Sequence, residues 1–404
     1  MVLDQNSNNN RQKGKTSHIE KELVRLENED LFRKINIFDV EKESALKYNE
    51  YRILNFSSND YLGLSKNKSL LKQLNQQIKL QISQCSSRLI SGSSTKIEKL
   101  EKSLSCHRDT QSSLVFPNGY MANLGVLSAL GDKETAIFSD RLNHASIIDG
   151  CKLSNSQVNV FPHNDISILE DLVKKNSIKK KIIITEGIFS MDGDFSNLKE
   201  LSKISKQNDC ILIVDDAHGD FIVGNNILKN YSGTPSYFNI AKEVDVHISS
   251  FSKGLGCYGG YVSSSTLICK YLVNKSRPFI FTSALPDFLC ELANKALAIV
   301  KTGKHQKKLN ENIDFFHKII EEFKIRNVKK IRFSPIIPII IGSEKKAMDL
   351  SMDLLKKGFH VQAIRYPTVD KNKARLRISL SAEHKKHQIH NLLDTLNRIL
   401  KQHI

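Results

Sequence analysis

The sequence predicts an α/β protein: a large, mostly parallel α/β/α domain followed by a smaller C-terminal α+β domain. Three observations lead there. Apolar, β-branched runs alternate with helical stretches between residues 112 and 250. Several of those runs end in polar clusters, which is where open α/β sheets carry their chemistry. After about residue 300 the texture changes to charged helices around the short apolar segments FSPIIPIIIG, FHVQAI and ARLRISL.

Residues 1–18, MVLDQNSNNNRQKGKTSH, have little to bury against the entropy of ordering and read as a disordered polar tail. Residues 19–57 form an N-terminal segment. Leu23, Leu26, Leu31 and Ile35 fall near helical spacing and predict a helix from Ile19 to about Lys47, before a strand at Arg52 to Phe56.

The large domain spans 58–300. SSLVF (112–116), TAIFS (135–139), QVNVF (157–161), KIIIT (181–185), CILIVDD (210–216) and VDVHISS (244–250) read as buried strands. Helical stretches such as Met121 to Leu130 and Leu198 to Lys206 lie between them. The small domain, 301–404, opens with a helix from Lys301 to Ile325. It continues through a strand, a helix at Lys345 to Lys357 and two further strands to a last helix from Glu383.

Composition excludes several classes. No apolar run in the 404 residues approaches the roughly 20 needed to span a bilayer, and the N-terminus lacks a signal-peptide core. A cytoplasmic protein with no membrane partner is expected. The seven cysteines are scattered without a CxxC, which predicts reduced thiols and neither a disulfide framework nor a metal site. The net charge of +17 is spread lysine without a nucleic-acid motif, so no specific nucleic-acid partner is expected.

Three segments carry candidate chemistry. CILIVDDAHGD delivers Asp215, Asp216 and His218 to a strand end, where a carboxylate can bind a metal, act as a base, pair with a protonated ring nitrogen or simply cap a turn. In HISSFSKGLGCYGG, Lys253 follows a strand and opens a glycine-rich stretch, which suits a Schiff-base lysine as well as a plain turn. In FPNGYMANLG, Gly119 between strand and helix leaves the first helical amides free for a phosphate.

Their order, with His144 in RLNHAS between them, resembles the fold-type I enzymes that use pyridoxal 5′-phosphate (PLP). SSNDYLGLS, SDRLNHASIIDG, TEGIFSMDGD, VDDAHG, FSKGLG, FTSALP and AIRYPTV…ARLR together resemble the motif series of the α-oxoamine synthases, from about residue 50 to residue 400. The resemblance implies a fold-type I transferase with PLP as cofactor. Lys253 would hold PLP as a Schiff base and move the substrate Cα proton. Asp215 would pair with the ring nitrogen, His218 with the ring 3′-oxygen, and His144 would stack on the ring.

Gly119, Tyr120 and Ser250 match phosphate-binding positions, and Glu186 and Ser190 match positions near the ring. Thr282 matches a residue that reaches the phosphate of a neighbouring subunit, which implies a homodimer with shared sites. Arg377 matches the carboxylate clamp, Asn59 with Tyr61 the loop lining the site, and Arg33 an N-terminal arginine associated with the acyl substrate. The implied reaction condenses L-alanine with pimeloyl-CoA or pimeloyl-acyl-carrier protein and releases CO2. Two alternatives stay open: a relative using glycine with a short acyl-CoA, and a non-catalytic PLP-fold binding protein.

The chain departs from the series in three places. Cys85, Ser86 and Ser87 stand where glycines are usual, Asp220 and Phe221 follow Gly219 in place of a Thr-Gly pair, and Asp287 replaces a second proline after Leu285. Added Cβ atoms restrict backbone approach, so altered acyl-chain fit or rate is expected from these loops.

Overall fold

The computed structural model describes residues 5–29, 31–33, 35–41, 44–76, 82–225 and 230–402. Its strands are β1 (Asp39–Val40), β2 (Ala45–Tyr48), β3 (Tyr51–Asn55), β4 (Ser112–Phe116), β5 (Thr135–Asp140), β6 (Gln157–Phe161), β7 (Lys180–Glu186), β8 (Cys210–Asp215), β9 (Val246–Ser250), β10 (Gly260–Ser264), β11 (Ile336–Gly342), β12 (Phe359–His360), β13 (Gln362–Ile364) and β14 (Ala374–Ser379).

Seven strands form the large sheet in the order β4-β10-β9-β8-β7-β5-β6. β9, β8, β7, β5 and β6 are mutually parallel, while β10 runs antiparallel between β4 and β9. Period-two alternation sorts each central strand between two cores. Ile182 and Ile184 face one, with Val126 and Ile248; Ile183 faces the other, with Phe138 and Leu201. Because the central strands are parallel, Asp140, Glu186, Asp215 and Ser250 all end at one edge.

The C-terminal strands form an antiparallel sheet, β11-β14-β13. β12 leaves it and pairs in parallel with β3, so the N-terminal strands and the C-terminal segment share a four-stranded sheet, β1-β2-β3-β12. One apolar cluster runs from Phe56 and Tyr61 through Leu350 to Leu396. Among the described residues, no helix is long and apolar enough to cross a membrane.

The expected strands and helices recur within a few residues, with five differences. A helix, Gln5–Asn28, runs through most of the stretch read as disordered tail; residues 1–4 lie outside the described residues. A polar composition argues against a core, not against a helix, and Arg25 pairs there with Glu22 and Glu29 at helical spacing. That helix ends near Asn28, not Lys47: Leu31 and Phe32 both donate back to Leu26 O, and the hairpin β2–β3 follows. Asn49 (φ 52) makes its two-residue turn, a conformation asparagine tolerates well. β6 is a largely exposed edge strand, since β5 covers only one side of it. The stretch FHVQAI is two strands in two sheets. Finally, β10 was hidden in the glycine-rich run after Lys253, whose glycines outweighed a short strand pattern.

One histidine ties the strand-end edge together. His163 after β6 lies 3.1 Å from Asp140 at the end of β5 and 3.1 Å from Asp194 in the loop after β7. Burial alone would lower its pKa, but the hydrogen bonds and charges of the two carboxylates raise it to about 9. A raised pKa stabilises the fold fully below the unfolded value of about 6.5 and loses that contribution as pH climbs through about 9. His163→Gln should therefore cost about 2 kcal/mol of unfolding free energy near pH 6 and much less near pH 10, measured by urea unfolding at both. An equal loss at both pH values would show that the imidazolium is not what the carboxylates hold.

Candidate active site

Parallel register sets the centre of the site. Glu186 at the end of β7 pairs directly with Asp215 at the end of β8, so two buried carboxylates stand side by side. Asp215 is held by Asn123 Nδ2, which donates at 2.6 Å, and by the Ala217 amide at 3.0 Å. Glu186 Oε2 accepts from the Ser190 amide, whereas its buried Oε1 has no hydrogen-bond partner among the described residues. Burial, with Asp215 adding repulsion, pushes the Glu186 carboxyl well above its usual range.

Lys253 enters from the loop after β9. Burial lowers its amine below the ordinary lysine range, against the opposing pull of Asp215 and Glu186. A lysine with a depressed pKa is the kind that attacks a carbonyl or carries a proton. His218, buried in the turn after β8, lies 2.7 Å from Tyr61 Oη through Nδ1, and burial holds its imidazole neutral. His144 caps the helix Ala145–Leu153, its Nδ1 accepting from the Ser146 amide, and is likewise lowered by burial.

Arg377 reaches the same place from β14. Its Nε donates to Ser190 O at 2.6 Å, and its remaining nitrogens contact Asn59 Oδ1, Ser379 Oγ and Tyr61 Oη. No carboxylate among the described residues pairs with it. Its neighbour Arg375 points the other way along the strand, into an ion pair with Asp192. A cleft of about 350 Å³ is lined by Asn59, His144, Ser190, His218, Lys253 and Arg377, together with His360 and Gln362. A second cleft of about 780 Å³ adjoins it through His144, Ser190 and Met191.

At the rim, Gly119 and Tyr120 lead the helix Gly119–Leu130, and their amides have no acceptor among the described residues. Ser250 stands against Gly119: a Cβ there would meet the Ser250 Cβ at 3.1 Å. Gly260 is packed on the backbone of Asn118 and Gly119, leaving no room for a side chain. The Tyr120 ring sits edge-on to His144 at 6.3 Å, joining this turn to the cleft.

Two residues of the motif reading line neither cleft of this chain. Thr282, read as reaching a neighbouring subunit, donates its hydroxyl to Pro278 O in the short helix just before it, and Arg33 is exposed. The motif reading also passed over Asn123, the residue that holds Asp215. Its signal was a lone amide one turn into an otherwise apolar helix.

Comparisons with known proteins give the family. Residues 51–396 match the family model for class I and II aminotransferases. The 8-amino-7-oxononanoate synthase of Lysinibacillus sphaericus is 36% identical over 385 residues, covering 95% of this chain and 97% of its own. The chain belongs to the 8-amino-7-oxononanoate synthase family. That family comprises PLP-dependent acyltransferases of fold-type I, and PLP is its cofactor. Among solved structures, 8-amino-7-oxononanoate synthase from Francisella tularensis superposes with a TM-score of 0.74 at 29% identity, over 87% of this chain and 98% of that one. Serine palmitoyltransferase from S. paucimobilis shares the fold with a TM-score of 0.88 at 24% identity, over 96% and 98%.

The residues present suit the family cofactor. An amine of lowered pKa beside two buried carboxyl groups, and a tight turn with open amides, suit a phosphorylated aldehyde with a basic ring. The departures from the family motifs are local. Cys85 takes a left-handed conformation (φ 50), whereas Ser87 is extended and bridges to Ser283. Gly92 is kept because a Cβ would run into the carbonyls of Ser86 and Ser87. Asp220 is fully buried and turned to His107 and Arg108, away from the cleft.

Tyr61→Phe removes the hydroxyl that meets His218, Asn59 and Arg377 together. It should lower unfolding stability by about 1–3 kcal/mol in a chemical-denaturation experiment, because three polar groups, two of them buried, lose a partner. A change below about 0.5 kcal/mol would mean that these groups rearrange freely.

Proposed function

We propose that this chain makes 8-amino-7-oxononanoate in biotin biosynthesis by condensing L-alanine with a pimeloyl thioester, carried by CoA or acyl-carrier protein. Arg377 carries the reading. It is a buried guanidinium in the cleft of Lys253, with only neutral acceptors around it among the described residues. A planar fork in that state is suited to the carboxylate of an α-amino acid.

PLP, when bound, supplies an electron sink for the carbanion at the amino-acid Cα. Lys253 would hold it covalently and, once released, would carry the Cα proton. Asp215 would keep the ring nitrogen protonated. His218 would donate to the ring oxygen, and His144 would pack against the ring face. Gly119 and Tyr120 offer amides, and Ser250 a hydroxyl, to the phosphate. Glu186 and Ser190 border the ring, and Asn59 and Tyr61 orient Arg377. In a homodimer, Thr282 serves the site of the partner subunit, and Arg33 stands on the acyl side.

In the overall condensation the alanine Cα gives up its proton and is joined to the thioester carbonyl carbon, the C–S bond breaks as the thiol leaves with a proton, and the β-keto acid loses its carboxylate as CO2 while Cα takes up a proton in its place. The adjoining cleft supports a long acyl chain. Ile148, Phe189, Ile340 and Val369 line it, with Lys373 and the Arg141–Asp370 ion pair among them.

The test is turnover of PLP-loaded protein with L-alanine and pimeloyl-CoA, read by product mass. Lys253→Ala should abolish product. Arg377→Lys should raise the alanine KM on the order of 10- to 100-fold, since lysine cannot replace the bidentate fork. Turnover of glycine with acetyl- or succinyl-CoA, and none with alanine, would overturn the reading.

A further inference from the structure

Behind the cleft, on the side of the β8 end away from Asp215, lies a second group of buried charges. Arg108, the last residue of the helix Thr95–Arg108, stands between Asp216 and Asp220, its guanidinium 3.1 Å from each carboxylate. His107 Nε2 is 2.9 Å from the other oxygen of Asp220, and Tyr261 Oη on β10 donates to Asp220 and accepts from Arg108 Nε at 2.9 Å. The side chains of Asp216 and Asp220 have no exposure, and that of Arg108 has 1%.

Asp216 occupies the special place in this group. Thr234 gives it two hydrogen bonds, from its amide at 2.9 Å and its hydroxyl at 2.8 Å. The carboxylate oxygens fill the space where side chains at Gly187, Gly219 and Gly233 would otherwise project. Gly187 follows Glu186, and Gly219 follows His218. Asp216 O also accepts from the amides of Gly219 and Asp220, so the turn that presents His218 winds about this one residue.

We infer that Asp216 is a positioning residue for the cofactor site: anchored by Arg108 and Thr234, it fixes the spacing of Glu186, Asp215 and His218 without touching the cleft. Arg108 supplies its counter-charge from a helix outside the strand-end loops. His107, Asp220 and Tyr261 hold that arginine in turn. The cleft residues thereby sit at a set distance from the helix behind the sheet, as preorganised sites require. The inference rests on PLP binding as proposed above.

Thr234→Val tests it with little change of shape, because it removes only the hydroxyl that bonds Asp216 Oδ1. Apo protein is titrated with PLP, reading the absorbance band and the Kd, and the unfolding midpoint is recorded alongside. Ile389→Val, in the final helix, serves as a variant of comparable stability loss remote from the cleft. Thr234→Val should bind PLP about tenfold more weakly with a displaced absorbance maximum, while Ile389→Val stays within about twofold of wild type. Asp216→Asn, if it folds, should show the larger loss, and Thr234→Val decides the matter if it does not. A Thr234→Val protein with wild-type Kd and band, or equal losses in both valine variants, would overturn the inference. A wild type that takes up no PLP would overturn the functional reading as well.

Discussion

Two carboxylates forced side by side at the end of a parallel sheet are the constraint on which the site depends. The register of β7 against β8 places Glu186 beside Asp215, and burial removes the water that would screen them. Like charges at that range cannot both persist without cations or protons near them. The surroundings answer in kind. Lys253 and Arg377 arrive from two different sheets, Asn123 donates to Asp215, and the Glu186 carboxyl is pushed toward its protonated form.

That arrangement works only if loops from distant parts of the chain are held to one another. The small sheet contributes Arg377, whose Nε closes on the Ser190 carbonyl in the loop after β7. Asn59 and Tyr61, following the N-terminal hairpin, brace the same guanidinium, while β3 pairs with β12. The two ends of the chain therefore meet over the edge of the large sheet. His163 adds a tie of the opposite sign, a raised imidazole between two carboxylates.

Behind the cleft, the buried Arg108 group solves a related problem. Burial pushes the Asp216 carboxyl up to about 7, only partly opposed by Arg108. For Asp220 burial acts in the same direction, but Arg108 and His107 outweigh it and bring it down to about 2. His107 completes the group, its Nε2 lying 2.9 Å from Asp220. The motif departure at Asp220 is thus matched by its partners on the neighbouring helix and strand. Of the departures near Cys85, only Cys85 itself adopts the backbone conformation that favours glycine.

The sequence by itself determined the alternation of strands and helices, the strand ends that carry the candidate site, and the motifs that contain Lys253, Asp215, His218, His144 and Arg377. These were legible because period-two and helical patterns are local, and because the motifs are contiguous. Tertiary structure alone decided what no local pattern encodes. β10 inserts antiparallel beside a parallel set, FHVQAI divides between two sheets, and Asn123 turns to Asp215. It also settled that Asp216 and Asp215, adjacent in sequence, serve opposite sides of one strand. Alternation turns one toward Asn123 and Lys253 and the other to Arg108, and only the packed sheet shows what each one meets.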